Sequence, residues 1–312
     1  MMKVAQVTSW DSPPEYISAP ELPAPTPTQL QVKVMAVGVP RVVRLRALAQ
    51  HPSAMGAQLP YDPSIDGIGL DEATGELYYI NVMAAPLFAE RANVERSQLL
   101  KLAPGSDAVT IAAMTNPATS SWMALKCRAI GGCQGRTVAI VGATSASGRV
   151  AAFIAHELGA TKVIGLGRNE STLASVAGLD SRIQLQHPLI LPPDLGPVHI
   201  VLDYVGGPAS VELMQNLEAP PNENLQYIAV GALAGHMKIE LPFHLINRKP
   251  IMIMASGVGS LRKTDFQREM PGLLDAISRM GPILDIFPVP MIDIHTAWDT
   301  DEVQLKRLVL IP

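Results

Sequence analysis

Residues 138–158 read VAIVGATSASGRVAAFIAHEL, passing from an apolar β-branched run through seven small residues into a helical pattern. TVAIVG (137–142) predicts a buried strand. RVAAFIAHEL (149–158) predicts a helix with Val150, Phe153, Ile154 and Leu158 on one stripe and Gly159 as its stop. The turn between them, Gly142-Ala143-Thr144-Ser145-Ala146-Ser147-Gly148, holds only Gly, Ala, Ser and Thr. Such a turn lets a dinucleotide pyrophosphate approach the free amides and the positive dipole end of the helix. The spacing is Gly142-x-x-Ser145-x-x-Gly148, with serine where the dinucleotide fingerprint has its middle glycine. A tight turn with no ligand is the competing reading, and the strands and helices that follow favour the cofactor.

Downstream, KVIGLG (162–167), VHIVLD (198–203), LQYIAV (225–230) and PIMIMA (250–255) are continuous apolar runs, as in parallel strands covered on both faces. Five or six such strands make an α/β, doubly wound Rossmann sheet. The second strand ends in Gly167-Arg168-Asn169-Glu170. Roughly twenty residues past the turn, an NAD site presents a carboxylate to the ribose 2′-hydroxyl, whereas a 2′-phosphate needs a cation. Arg168, with Asn169 beside it, therefore points to NADP. The other reading is a solvated loop arginine, which the neighbouring Glu170 keeps open.

Upstream, KVAQVT (3–8) and LQVKVMAVG (30–38) alternate as strands, and prolines 13, 14, 20, 23, 25 and 27 between them predict an extended, unpaired loop. LYYINV (77–82) and FAERANV (88–94) extend a mostly β region over the first hundred residues. Residues 106–130 carry helical spacing broken by Pro117, and 265–280 predicts a helix. PILDIFPVPMIDI (282–294) and the final RLVLIP then return to short strands. Residues 1–114 and 257–312 are thus expected to form one discontinuous domain around a central dinucleotide-binding domain, 115–256.

The 312 residues comprise 48% hydrophobic and 17% charged residues at a net charge of -4, which excludes wholesale disorder. No basic run offers itself to a phosphate backbone, so nucleic acid is not an expected partner. No 18-residue apolar run or leader pattern argues for a membrane span or secretion. Two cysteines, Cys127 and Cys133, are too few for a disulfide framework and fit a reducing cytoplasm.

Together these segments resemble the zinc-independent medium-chain dehydrogenase/reductase superfamily, in its quinone oxidoreductase and enoyl reductase-like branch. AVGV (36–39), LPYDPSIDGIG (59–69), TNPATSSWMAL (115–125), residues 138–169, VLDYVGG (201–207), VGALAGHMKIELP (230–242), IMASGVGS (253–260), VPMIDIHTAW (289–298) and RLVLIP (307–312) carry the likeness. The resemblance implies a GroES-like, mostly β domain beside the Rossmann domain, a homodimer, and hydride delivery from NADPH to a quinone or a conjugated C=C. It implies the pyrophosphate at Ser145, Ala146, Ser147 and Gly148, with Gly142 opening the turn, and the adenosine phosphate at Arg168. Tyr204, Gly231 and Ala232 would line the cofactor, and Asn116, Ser120 and Ser256 would face its nicotinamide.

Zinc-dependent relatives hold their metal through a Cys after the AVG segment and a His in a Gly-His-Glu turn. Here Pro40 and Asp66-Gly67-Ile68 stand there, so no metal is expected. The tyrosine that many quinone reductases carry after AVG is missing from PRVVRLRALAQHPSAMG (40–56). Tyr61 and Asn116 remain as catalytic candidates, with packing against Tyr61 and a turn role against Asn116 as alternatives. His51, among Arg41, Arg44 and Arg46, reads as a solvated basic face. Besides an NADPH-dependent reductase of a small molecule, two readings stay open: a redox-silent isomerase, cyclase or binding protein on the same fold, and an enoyl reductase acting on a carrier-bound polyketide.

Overall fold

In a computed structural model of the chain, all residues are described except Met237, inside the 230–242 segment, and the side chains of Val258 and Gln304. The chain divides into two compact units, Met1–Asn116 with Leu274–Pro312, and Pro117–Leu273.

In the first unit β1 (Met2–Gln6) pairs antiparallel with β2 (Glu15–Ala19), Val4 opposite Ile17. The expected unpaired loop over the proline-rich segment is corrected here. Residues 15–19 hold no proline and so keep every ladder N–H, while Pro14 and Pro20 bound the strand. β3 (Gln29–Gly38) leads to a short helix, α1 (Arg41–Ala47), and then come β4 (Gly67–Asp71), β5 (Glu76–Ile80), β6 (Arg91–Glu95) and β7 (Leu99–Lys101). Near the end of the chain lie β14 (Ile286–Pro290) and β15 (Arg307–Ile311). Among the described residues these strands form one sheet ordered β14-β15-β3-β4-β5-β7, with β6 also on β3. Its alternating residues, Val34, Ile80, Val94 and Leu310 among them, close a core with Leu87 and Phe88.

α2 (Ala108–Met123) runs unbroken through Pro117 and widens into a single π-type turn at 124–128, so the expected break is also corrected. Nearly every residue from Thr110 to Ala118 is buried, and that burial outweighs the one hydrogen bond that proline cannot make.

In the second unit β8 (Thr137–Val141), α3 (Ala146–Glu157), β9 (Lys162–Gly167), α4 (Glu170–Ala174) and β10 (Ser181–Gln184) follow in turn. Then come β11 (Ile200–Asp203), α5 (Pro208–Asn216), β12 (Leu225–Ala229), α6 (Phe243–Arg248), β13 (Ile251–Ala255) and the first part of α7 (Lys263–Met280), whose residues from Leu274 on belong to the first unit. The strands are all parallel, in the order β10-β9-β8-β11-β12-β13, the doubly wound arrangement. β8 and β11 are buried almost throughout, as their unbroken apolar runs require. β13 departs from that expectation: as an edge strand it leaves Ile253 38% exposed.

Asp66, at the start of β4, sits in the first unit's core and accepts a 2.9 Å hydrogen bond from the Tyr79 hydroxyl. Burial pushes its carboxyl up to about 6, against the opposing effects of that bond and the charge of Arg307. The folded chain therefore holds this proton more tightly than the unfolded one. The stability so gained is complete below about pH 4 and is lost as pH rises through 6. Asp66→Asn should remove that dependence and gain about 3 kcal/mol relative to wild type at pH 7. Urea midpoints of both proteins between pH 4 and 7 measure it; parallel curves would contradict it.

Candidate functional site

The parallel strands deliver their carboxyl ends to one edge of the second unit's sheet. β8 opens onto Gly142, β9 onto Arg168, β11 onto Tyr204, β12 onto Gly231 and Ala232, and β13 onto Ser256. Successive strands are added outward in opposite directions from the β8–β11 pair, so the strand order reverses there, where doubly wound sheets bind ligands.

At the turn after β8, Gly142 has φ +88°, in the region a side chain rarely adopts. A Cβ on Gly148 would lie 2.2 Å from the Gly142 carbonyl oxygen and 2.7 Å from the Ala143 Cα, so the first turn of α3 meets the end of β8 backbone to backbone. Ser145 caps this helix. Its Oγ accepts from the Gly148 amide at 3.1 Å and donates to the Gly142 carbonyl at 2.8 Å. The amides of Ala146 and Ser147 donate to no acceptor among the described residues.

At the end of β9, Arg168 is exposed and its guanidinium meets no carboxylate among the described residues. Asn169 is the N-cap of α4, its Oδ1 accepting from the Thr172 amide and the Ser171 hydroxyl, each at 2.8 Å. Its side-chain oxygen is thereby committed to the helix.

Beyond β11, Tyr204 is buried and its hydroxyl lies 3.3 Å from Ser120 Oγ on α2. Ser120 Oγ also lies 2.9 Å from the Pro117 carbonyl, to which it can donate, and either hydroxyl of the Tyr204–Ser120 pair can act as donor. Burial pushes the Tyr204 phenol up to about 12, which keeps it protonated at neutral pH. Gly231 lies against Tyr204, where an added Cβ would meet the tyrosine's carbonyl oxygen at 3.1 Å, and Ala232 flanks Gly206. Ser256 donates its amide to the Ala229 carbonyl at 2.8 Å, while its hydroxyl is buried with no partner.

Two candidates belong to the first unit. The amide of Asn116, half-buried on α2, has no hydrogen-bond partner among the described residues. Tyr61 bridges to Val7, and its ring lies 5.6 Å from Trp10 and 5.4 Å from the Arg46 guanidinium. Its hydroxyl is buried and unpartnered, and burial raises its pKa. Among the described residues, no hydrogen bond or ring contact joins Tyr61 to Asn116, and no group of three or more His, Cys, Asp or Glu is placed to hold a metal ion.

Sequence reasoning passed over Asp203. This buried residue ends β11 and accepts four hydrogen bonds: the Val205 amide at 2.8 Å, the Gly206 amide at 3.1 Å, the Ser210 hydroxyl, and the Tyr227 hydroxyl at 2.9 Å. It fixes the loop that carries Tyr204, in which Gly206 and Gly207 both take positive φ. The signal was present in VLDYVGG, an aspartate at a strand end followed by paired glycines.

No family model matches the chain. A probable NADPH-dependent quinone reductase of Emericella nidulans, tdiC, is 43% identical over an alignment of 355 positions covering 100% of both chains. Among solved structures, a mycobacterial quinone oxidoreductase aligns with a TM-score of 0.79 at 18% identity, covering 100% of both chains. The quinone oxidoreductase of Thermus thermophilus, determined also in complex with NADPH, aligns at 0.74 and 21%, again over 100% of both. A thermostable alcohol dehydrogenase of Pyrobaculum aerophilum aligns at 0.74 and 18%, over 100% of this chain and 99% of that one. The three structures share the fold.

Replacing Asp203 by Ala would strand two buried hydroxyls and two partly buried amides, at a cost of roughly 3 kcal/mol or more. Tyr227→Phe removes one partner and leaves three, for about 1 kcal/mol. Urea unfolding of the two variants against wild type tests this ranking, and a loss below 1 kcal/mol for Asp203→Ala would refute it.

Proposed function

Because the chain belongs to the quinone oxidoreductase branch of the medium-chain dehydrogenase/reductase superfamily, we propose that it reduces quinones with NADPH held on the carboxyl edge of its parallel sheet. The full-length relationship at 43% identity carries this reading. The turn at 142–148 supports it, since its bare backbone at Gly148 and the free amides of Ala146 and Ser147 suit a pyrophosphate. Arg168 supports a 2′-phosphate through charge-assisted hydrogen bonds. The unpartnered Ser256 hydroxyl is available to the nicotinamide half, as is the Tyr204 phenol beside Ser120.

When bound, NADPH would supply the hydride; the chain binds and orients it. A quinone becomes a hydroquinone by taking one hydride and one proton, with the negative charge passing through the ring oxygens. Protonation at oxygen is met by water and needs no positioned acid. An enone or a carrier-bound enoyl group would need a proton at carbon and hence a positioned acid. Residues 40–56 hold no tyrosine, and burial pushes the Tyr204 phenol up to about 12, making it a weak acid. The quinone reading is therefore preferred to an enoyl one, and Pro40 in place of a zinc-binding cysteine supports chemistry without a catalytic metal.

β13 forms one end of the parallel sheet, and Ile253 together with the exposed Phe243 and Ile246 of α6 gives its neighbourhood an apolar surface. Such an edge is satisfied by the same edge of a second copy, which supports a homodimer. No helix among the described residues is long and apolar enough to cross a membrane. The free thiols Cys127 and Cys133 suit a reducing cytoplasm.

Purified protein should consume NADPH, followed by its near-ultraviolet absorbance, in the presence of simple benzo- and naphthoquinones, and faster than it consumes NADH. Protein that binds NADPH but reduces no member of the panel belongs to the redox-silent class instead. Sedimentation should return about twice the 33.3 kDa chain mass, and Ile253→Lys should return the single mass with an unchanged melting temperature. A wild-type monomer at micromolar concentration would remove the dimer.

A further inference from the structure

Arg149 lies in the first turn of α3, one residue past the glycine that packs on β8, and sequence reasoning assigned it no role. It is half-buried, and its Nε donates to the Thr144 carbonyl at 3.2 Å. Among the described residues its two Nη atoms meet neither a hydrogen-bond acceptor nor a carboxylate. Three arginines of this unit are engaged by contrast: Arg136 and Arg268 pair with Glu223 and Glu269, and Arg182 donates to three backbone carbonyls. A guanidinium anchored at Nε alone keeps both Nη groups in one plane, the fork that grips two oxygens of a phosphate.

The anchor also says which phosphate. Thr144 packs on the end of β9, its Cγ2 lying 3.1 Å from where a Cβ on Gly167 would stand, and Arg168 is the next residue. Arg149 is thus tethered to the side of the turn that touches β9, whereas the free amides of Ala146 and Ser147 mark the pyrophosphate's place at the helix start. Glu170 brings a carboxylate to the same strand end, but it is exposed and opens α4, where the helix dipole favours its charge.

We propose that Arg149 and Arg168 together hold the 2′-phosphate of NADPH, so that cofactor choice rests on two guanidiniums. The proposal rests on the NADPH reading above and adds a specificity residue to it.

Calorimetric titration of wild type, Arg149→Ala and Arg149→Lys with NADPH and with NADH tests it, with no turnover required. Arg149→Ala should weaken NADPH about ten- to a hundred-fold and leave NADH within about two-fold. Arg149→Lys keeps the charge but loses the fork, and should fall between. A wild type that binds NADH at least as well as NADPH defeats the NADPH reading and this inference together. A wild type that prefers NADPH, with Arg149→Ala weakening both cofactors alike or neither, overturns the inference alone. Melting temperatures identify a misfolded Ala variant, and Arg149→Lys then decides by the same ratio.

Discussion

The backbone contact between Gly148 and the end of β8 is the constraint on which the carboxyl edge depends. With 2.2 Å between a would-be Cβ and the Gly142 carbonyl oxygen, any side chain at 148 must drive α3 off the sheet. While the contact holds, the helix starts within one turn of the strand's last residue, and its unpaired amides open at the edge where the strands end. Ser145 makes the geometry self-supporting. One hydroxyl accepts from the helix and donates to the strand end, so serine at the fingerprint's middle position ties together what a glycine there would only leave room for. Arg149 inherits its position from the same contact.

A second anchor works on the other side of the β8–β11 switch point. Asp203 is a buried carboxylate, and such a group persists only where several donors replace the water it has lost. Two backbone amides and two hydroxyls do so, and all four belong to the loop after β11 or to the elements flanking it. Burial and the Asp203 charge together hold the Tyr227 phenol well above its ordinary range, so it stays a donor at every pH the fold meets. The loop presenting Tyr204 to Ser120 is therefore fixed by charge-assisted bonds. Hydrophobic packing could not do this for a segment whose two glycines contribute no side chains.

The central strands were readable because a parallel strand covered on both faces has almost no choice of composition; TVAIV and IVLD admit no other element between such turns. The small-residue turn was readable for a similar reason, since only small residues permit the approach at Gly148. What escaped depended on contacts distant in sequence or on a single residue. β10 has one buried residue, Ile183, in a run of four, too little for a pattern. β2 was hidden by its flanking prolines, and α2 by a proline that burial overrides. Asp203 looked like any strand-end aspartate, because its two hydroxyl partners lie seven and 24 residues away. Arg149 sat in a helix read only for its apolar stripe.

The substitution that most obscured the chemistry also narrows it. A reductase that must protonate carbon needs an acid held in place, and residues 40–56 hold arginines and aliphatics but no tyrosine. Tyr204 is a poor substitute, since burial pushes its phenol up to about 12 and its hydroxyl is shared with Ser120. A quinone makes no such demand. Hydride on one face of the ring leaves the charge on oxygen, and oxygen exchanges protons with water without help. On the proposed reading, the absence of a tyrosine from 40–56 is no obstacle for an acceptor whose driving force lies in its own ring. On that same reading, the reaction then depends on how well the edge holds the dinucleotide, which returns the burden to the turn at Gly148 and the arginines beside it.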